Sequence, residues 1–268
     1  MPKKIIRRKH RLSSFQTITL GFAGVILLGA LLLMLPISTT AGCVTPFNET
    51  LFTATSAVCV TGLVVQDTGS YWSGFGQTII LVLIQIGGLG VITVAASFAL
   101  LSGRKISLMQ RSTMQDAISA PKVGGIVRLT RFILRGTFLI ELLGALAMLP
   151  VFCHDYGWRG IWMAVFHSIS AFCNAGIDLL GVRGAYSSLT SYAYDPLINL
   201  VIILLIVIGG IGFLTWDDIY RNRHHISRYR MQSKVILSYS LALIFIPAIL
   251  FFFLEFQDIP AGKRILVS

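Results

Sequence analysis

A short apolar, hydroxyl-rich segment occurs twice in this chain, and it constrains the fold more than any other feature. The first copy covers residues 52–64 and ends on Val60-Thr61-Gly62-Leu63-Val64. The second copy lies 114 residues later (176 − 62 = 114) and repeats five side chains: Phe52, Ser56, Ala57, Cys59 and Gly62 align with Phe166, Ser170, Ala171, Cys173 and Gly176. One constant offset across five positions indicates a duplicated unit.

Each copy is too short to cross a bilayer but is flanked by apolar runs that are long enough. Around the first copy these runs cover residues 20–36 and 75–101. A short helix that stops at a glycine between two full spans is the layout of a pore loop. Irregular backbone at membrane depth is stable only where protein buries it or where it lines a water-filled path. In such a path, carbonyl oxygens replace the hydration shell of a cation.

The composition agrees with an integral membrane protein. Of the 268 residues, 55% are hydrophobic and only 12% are charged, which is typical of chains with several membrane spans. A helix needs about 20 residues to cross the hydrocarbon core, and five apolar runs have suitable lengths: residues 15–36, 75–101, 132–151, 196–216 and 235–255. We therefore predict an all-α membrane fold of tandem helix–pore loop–helix repeats with parallel orientation.

The net charge of +11 is concentrated in three places. Six basic residues precede the first span, six lie in and beside the loop after the second, and five follow the fourth, whereas residues 37–74 contain no Lys or Arg. This is the positive-inside pattern. It predicts a multi-pass protein with a cytoplasmic N-terminus and contacts with anionic membrane lipid, and we expect no nucleic-acid partner.

Two glycine-rich strings lie in matching predicted spans, at residues 87–90 and 209–212 (209 − 87 = 122). Such a string can mark a dinucleotide site, but only when it follows a strand and opens a helix. Here both strings lie inside apolar helices. Because small residues on a membrane helix let another backbone approach closely, we expect the neighbouring pore loop to pack against them.

Glu141 is the only acidic residue inside any predicted span. A carboxylate at this depth faces the protein interior or a water-filled cavity, and it is a functional candidate by default. Two roles stay open for it. Glu141 either contributes to the ion path or gives intramembrane polar support to pore-loop backbone or to a hydroxyl group.

The predicted repeats divide the chain into three parts. Residues 1–120 hold the first repeat with its basic N-terminus and loop, residues 121–232 hold the second repeat, and residues 233–268 hold the first helix of a third. Repeats of one orientation must close around an axis normal to the membrane, and two and a fraction do not close. We therefore expect an N-terminal portion, or a truncated product, of a longer protein.

The pore-loop segments and the glycine strings resemble the Trk/Ktr/HKT superfamily of potassium uptake proteins, specifically its bacterial TrkH/KtrB branch. The resemblance rests on residues 53–63, on residues 173–176 and on both glycine strings, and it covers nearly the whole chain. In that family four repeats in one polypeptide surround a single pseudo-fourfold pore. Each repeat contributes one filter glycine, and the third carries a gating loop.

Carried onto this sequence, the resemblance implies a selectivity filter of two segments: Cys59, Val60, Thr61 and Gly62, and Cys173, Asn174, Ala175 and Gly176. The K⁺ ligands would be the backbone carbonyls of Val60, Thr61, Asn174 and Ala175, with Na⁺ as an alternative ion. The resemblance also implies a homodimer in the plasma (inner) membrane on cytoplasmic nucleotide-binding, RCK-type regulatory subunits. It implies no covalently bound cofactor.

Two other functions stay open at this point. A secondary transporter with broken helices also places unwound backbone at the bilayer midplane, although many such proteins have inverted repeats and more intramembrane charge than Glu141 alone. The other alternative is a truncated fragment without transport activity of its own. An enzyme is not expected, because the spans contain no recognisable nucleophile–base pair, metal cluster or phosphate loop.

Overall fold

The computed structural model describes residues 13–90, 93–94, 113–116, 125–223 and 225–255. The helices described over their whole length are α1 (Ser14–Leu33), α2 (Phe47–Cys59), α3 (Gly74–Leu89), α4 (Ile126–Tyr156), α5 (Arg159–Phe172), α6 (Pro196–Gly210), α7 (Phe213–Asn222) and α8 (Met231–Leu250). A π-helical turn, Phe251–Glu255, continues α8. Within the described ranges the only β pairing is one isolated bridge between Thr39 and Trp72, so the predicted all-α class is confirmed.

Local sequence signals explain several helix ends. At the start of α1, Ser13 and Gln16 form a capping box in which each side chain accepts a hydrogen bond from the backbone of the other. At the start of α6, the Asp195 carboxylate accepts from the Ile198 N–H at 2.9 Å, and Pro196 occupies the first helical position, where its missing N–H costs nothing. Helix α4 continues past Pro150 to Tyr156, so its predicted end at residue 151 was too early.

Among the described residues, three helices are long and apolar enough to cross a membrane: Phe15–Leu33, Val127–Tyr156 and Met231–Leu254. They match the first, third and fifth predicted spans. The fourth predicted span, over residues 196–216, is broken into two helices. Helix α6 ends at Gly210, α7 begins at Phe213, and the two are bent by 94°, because Gly212 between them has a φ of 83°.

The second predicted span is also interrupted. Helix α3 ends at Leu89, because Gly90 adopts a φ of 80° and leaves the helical conformation. Residues 95–101, which the prediction included, lie outside the described residues. So do the basic residues before Ser13, four basic residues of the following loop, at positions 104, 105, 111 and 122, and residues 256–268 of the predicted third part.

The two short helices, α2 and α5, each pack between two longer ones. Helix α2 contacts α1 and α3, whereas α5 contacts α4 and α6. Helix α3 also contacts α5, so both groups share one core that includes the fully buried Ala57, Trp72, Phe152 and Phe166. Large apolar side chains on the outer faces of α1, α4, α6 and α8 are exposed, as expected of helices that face lipid.

Candidate ion pathway

The chain leaves each short helix through a left-handed turn. Val60 caps α2 with a φ of 57° and a ψ of 46°, and Asn174 follows α5 with a φ of 58°. These positions differ by the offset of the repeated segment (174 − 60 = 114). Two residues later, Gly62 and Gly176 have φ values of 74° and 68°. Since a left-handed residue with a Cβ costs roughly 1–2 kcal/mol, the surrounding structure must hold Val60 in this conformation.

The structure brings the two turns into contact. A Cβ placed on Gly62 would lie 2.7 Å from the Ala175 carbonyl oxygen and 3.7 Å from the Cα of Gly176. Any side chain at position 62 would therefore push on the backbone of the second turn. The repeat offset pairs Gly62 with Gly176 in the sequence, and the fold places the two residues side by side.

The backbone carbonyls of both turns are available to a ligand. Among the residues that the structure describes, no hydrogen bond is donated to the carbonyl oxygens of Val60, Thr61, Asn174 or Ala175. The turns are held through their N–H groups instead: Thr61 N–H donates to the Ser56 carbonyl at 3.0 Å, and Ala175 N–H donates to the equivalent Ser170 carbonyl at 2.8 Å.

Serine hydroxyls add a second set of bonds behind each turn. In the first, the Thr61 hydroxyl donates to the Ser56 hydroxyl at 2.8 Å. In the second, the Ser170 hydroxyl donates to the Ile177 carbonyl at 2.6 Å and accepts from the Ile177 N–H at 3.1 Å. Each turn is therefore tied to the helix that precedes it, while the carbonyl oxygens of Val60, Thr61, Asn174 and Ala175 accept no hydrogen bond from the described residues.

The glycine strings receive the ends of the short helices, as the sequence predicted. A Cβ at Gly87 would overlap the carbonyl oxygen of Val58, near the end of α2, and one at Gly209 would overlap that of Phe172, at the end of α5. Without these glycines neither helix end could approach its neighbour this closely. The C-terminal ends of both helices carry partial negative charge, which favours a cation nearby.

The two cysteines of the implied filter segments differ in their surroundings. The Cys173 side chain is buried, and its Sγ lies where a Cβ on Gly88 would be. The Cys59 side chain is exposed. The equivalence of these positions in sequence does not extend to the side chains, because Cys173 faces α3 of the neighbouring helix group.

Glu141 joins three helices behind the second turn. Its side chain is only 4% exposed, and one of its oxygens accepts a hydrogen bond from the Gln85 amide of α3 at 2.9 Å. Its backbone carbonyl accepts from the Ser168 hydroxyl of α5 at 2.6 Å. Sequence reasoning missed Gln85, although a lone amide within the apolar stretch of α3 was a signal that could have found it.

Sequence reasoning also missed Asp67, which lies five residues after Gly62 in the loop that follows the first turn. Its carboxylate is 9% exposed and accepts hydrogen bonds from the Ser70 N–H and hydroxyl and from the Tyr186 N–H. Burial raises the pKa of Asp67, but these hydrogen bonds lower it by more, so that the pKa lies below the usual carboxyl range. Asp67 is therefore ionised at neutral pH.

Comparison with known proteins identifies the family. A sequence profile of TrkH, described as a cation transport protein, matches residues 11–262. The chain belongs to the TrkH family. This confirms the resemblance drawn from the pore-loop residues, to a family whose members are described as cation transport proteins.

Several curated relatives of this TrkH-family chain are uptake proteins. The potassium/sodium uptake protein NtpJ of Enterococcus hirae is 40% identical over 254 residues, which cover 94% of this chain and 54% of NtpJ. The Ktr system potassium uptake protein B of Bacillus subtilis is 41% identical over 91% of this chain and 53% of its own length. Its namesake in Vibrio alginolyticus is 34% identical over 89% and 51%. The chain spans about half the length of the curated relatives it matches.

Proposed function

We propose that this chain contributes to an uptake pathway for potassium, with sodium as an alternative ion, across the plasma membrane. The carbonyl oxygens of four residues would replace the water shell of the ion: Val60, Thr61, Asn174 and Ala175. The observation that carries the proposal is that two left-handed turns with unbonded carbonyls lie in contact at Gly62 and Gly176.

The chemistry of such a site is electrostatic. A cation that enters a narrow path loses hydration energy, and ordered carbonyl dipoles compensate for that loss. Here the left-handed turns orient the carbonyls, the serine hydroxyls hold the turns, and the C-terminal ends of α2 and α5 add negative potential. No charged side chain needs to touch the ion. Cys59 and Cys173 would contribute through their backbone only.

We further propose that residues 1–120, 121–232 and 233–268 are two complete repeats and the first helix of a third. The order long helix, short helix, interrupted helix occurs twice in the described residues, which supports this division. The charge pattern supports a cytoplasmic N-terminus. We also propose a homodimer that binds a cytoplasmic nucleotide-binding regulatory subunit, since several relatives are named as proteins of a Ktr system.

A second candidate is a secondary transporter with a broken helix, which the 94° bend between α6 and α7 favours. A coupled transporter would take up potassium only with a second ion, and its rate would depend on that ion's gradient. A pore would carry potassium down its own electrochemical gradient. Uptake measured with and without sodium and proton gradients distinguishes the two.

The filter proposal predicts that a side chain at Gly62 or Gly176 disturbs ion selectivity. For Gly62→Ser and Gly176→Ser, expressed from the complete reading frame in potassium-uptake-deficient cells, we expect the K⁺/Na⁺ uptake ratio to fall about fivefold or more, the effect of roughly 1 kcal/mol. The double variant should have a lower K⁺/Na⁺ uptake ratio than either single variant. The measurement is K⁺ and Na⁺ uptake normalised to membrane abundance.

Gly42 provides the matched control. It also has a positive φ, 67°, but a Cβ there meets no atom within 4 Å, so Gly42→Ser has the same backbone cost without touching the turns. We expect Gly42→Ser to keep the wild-type ratio. Wild-type selectivity and uptake in both Gly62→Ser and Gly176→Ser, at normal abundance, would refute the filter assignment.

A further inference from the structure

The loop that follows the first turn, residues 63–73, is joined to the loop that follows the second, residues 177–195, by the carboxylate of Asp67. Oδ1 of Asp67 accepts from the Ser70 N–H at 2.9 Å and from the Ser70 hydroxyl at 2.8 Å, both within its own loop. Oδ2 accepts from the Tyr186 N–H at 2.9 Å, 119 residues further along the chain. Asp67 therefore uses one oxygen for each loop.

The two loops are also fitted to each other at glycines. A Cβ on Gly181 would overlap both carboxylate oxygens of Asp67, and a Cβ on Gly69 would overlap the carbonyl of Leu179. Asp67 and Gly181 are equivalent by the repeat offset (181 − 67 = 114). One copy thus supplies the carboxylate and the other supplies the space that it occupies. The Tyr186 hydroxyl adds a bond to the Val65 carbonyl at 3.0 Å.

The carboxylate is bound by neutral donors. Within the described part of the chain, Asp67 forms no ion pair with Lys, Arg or His. Hydrogen bonds to a charged acceptor are about twice as strong as those between neutral groups, so this bridge is a strong contact between the loops. The contact lies close to both turns in sequence: Asp67 lies five residues after Gly62, and Gly181, which packs against the carboxylate, lies five residues after Gly176.

We propose that Asp67 is a positioning residue for the ion pathway. Its carboxylate sets the spacing between these two loops and thereby the positions of the carbonyls in the two turns that precede them. This inference rests on the proposed function of those turns as a filter. Selectivity depends on the placement and number of the coordinating carbonyls. Loss of the bridge should therefore change the preference between ions without removing the turns.

The decisive variant is Asp67→Asn. Asparagine has the same shape but only one acceptor oxygen, so it cannot accept from the backbone N–H groups of both Ser70 and Tyr186. The matched control is Ser70→Ala, which removes only the hydroxyl bond within one loop and keeps the bridge. We expect Asp67→Asn to lower the K⁺/Na⁺ uptake ratio about threefold or more, since one of the two backbone N–H groups loses its acceptor, and Ser70→Ala to leave the ratio unchanged.

A double-mutant cycle tests the contact itself. Gly181→Ala should lower the K⁺/Na⁺ uptake ratio when Asp67 is present, because the new methyl group overlaps the carboxylate. The same substitution should lower the ratio much less in the Asp67→Ala background. Residues in direct contact show such non-additivity. If Asp67→Asn reduces membrane abundance, Gly181→Ala replaces it in the uptake test: its methyl group overlaps the Asp67 carboxylate and displaces it from the Tyr186 N–H, and we expect a shift of the ratio in the same direction.

The outcomes separate this inference from the filter proposal. If Gly62→Ser and Gly176→Ser change the ratio but Asp67→Asn, or its replacement Gly181→Ala, keeps the wild-type value, the inference about Asp67 is wrong and the filter stands. Additive effects of Gly181→Ala and Asp67→Ala would also overturn it. If neither glycine variant changes the ratio, the filter proposal itself fails.

Discussion

At the scale of single residues, buried polar groups near the two turns act through partners that the sequence does not reveal. Glu141 is the clearest case. Its contacts with Gln85 and with Ser168 are those of a support between helices, because the two partners belong to two other helices, α3 and α5. The side-chain carbonyl oxygen of Gln85 and the hydroxyl of Thr137, four residues before Glu141, are buried without a hydrogen-bond partner among the described residues, so this region already contains unsatisfied polar groups.

A support role for Glu141 predicts different results for two substitutions. Glu141→Gln keeps an oxygen that can accept from Gln85 and should retain uptake. Glu141→Leu leaves the Gln85 amide without an acceptor, at a cost of about 1–3 kcal/mol, and should lower membrane abundance. The measurements are uptake in potassium-uptake-deficient cells and the amount of protein in the membrane.

The control for this prediction is the double variant Glu141→Leu with Gln85→Leu. Replacing both partners by apolar groups removes the unsatisfied amide and should restore part of the abundance. Loss of uptake by Glu141→Gln at normal abundance would instead mean that the charge of Glu141 acts on the ion.

At the scale of helices, the glycines within each string have two different structural roles, which the apolar pattern of the sequence does not distinguish. The first glycines of each string admit the end of a short helix, whereas the last one breaks its own helix. The break after α6 is held by Trp216, whose indole N–H donates to the Ile208 carbonyl across it at 2.9 Å. The Trp216 ring also packs between Phe172 and Phe213, with centroids 5.6 and 5.5 Å away.

Alanine substitutions in the second string should separate these functions by their stability cost. Gly209→Ala should lower the melting temperature the most, because its methyl group overlaps the Phe172 carbonyl. Gly212→Ala meets no atom within 4 Å but has a φ of 83°, so we expect a cost of about 1–2 kcal/mol. Melting temperatures of the purified protein in detergent would measure both effects.

Gly210→Ala is the control within the same string. Its methyl group would contact only the Asn174 amide at an ordinary 3.7 Å, and we expect a melting temperature close to that of the wild type. Equal melting temperatures for all three variants would contradict the assignment of separate roles to these glycines.

At the scale of the whole molecule, part of the basic charge has a structural use besides orientation. Asp217 and Asp218 of α7 are buried. Arg221 donates to Asp217 at 2.7 Å, and Asp218 accepts from the Arg230 N–H at 3.1 Å and from the Ser233 hydroxyl at 2.6 Å. The Arg221 bond lies within α7. The bonds from Arg230 and Ser233, together with ion pairs from the Arg230 guanidinium to Asp217 at 3.8 Å and to Asp218 at 3.4 Å, tie α7 to the start of α8, so one arginine counted in the positive-inside pattern also holds the connection between helices.

The orientation predicted from charge can be tested with single cysteines. In a protein whose four native cysteines are replaced, Ser227→Cys lies in the basic connection before α8 and should be protected from a membrane-impermeant maleimide in intact cells. Ser191→Cys, exposed on the opposite connection between α5 and α6, should react. Labelling of position 227 with protection of position 191 would reverse the topology.

The pattern of residues along the chain was sufficient for the class of fold, for the location of the short helices and for both turns. These features depend on neighbours in sequence: apolar length decides a span, and a glycine after a short apolar helix decides a turn. The constant offset between the two copies then identified Gly62 with Gly176 before any contact between them was known.

The contacts that join the two copies depended on the folded chain. Gln85 and Glu141 are 56 residues apart, and Asp67 and Tyr186 are 119 residues apart, so no local sequence pattern predicts either hydrogen bond. The break at Gly212 lies in an uninterrupted apolar run, and of the equivalent cysteines Cys173 is buried against Gly88 of α3 whereas Cys59 is exposed. In each case the deciding interaction is with a residue from another helix, and only packing determines which residue that is.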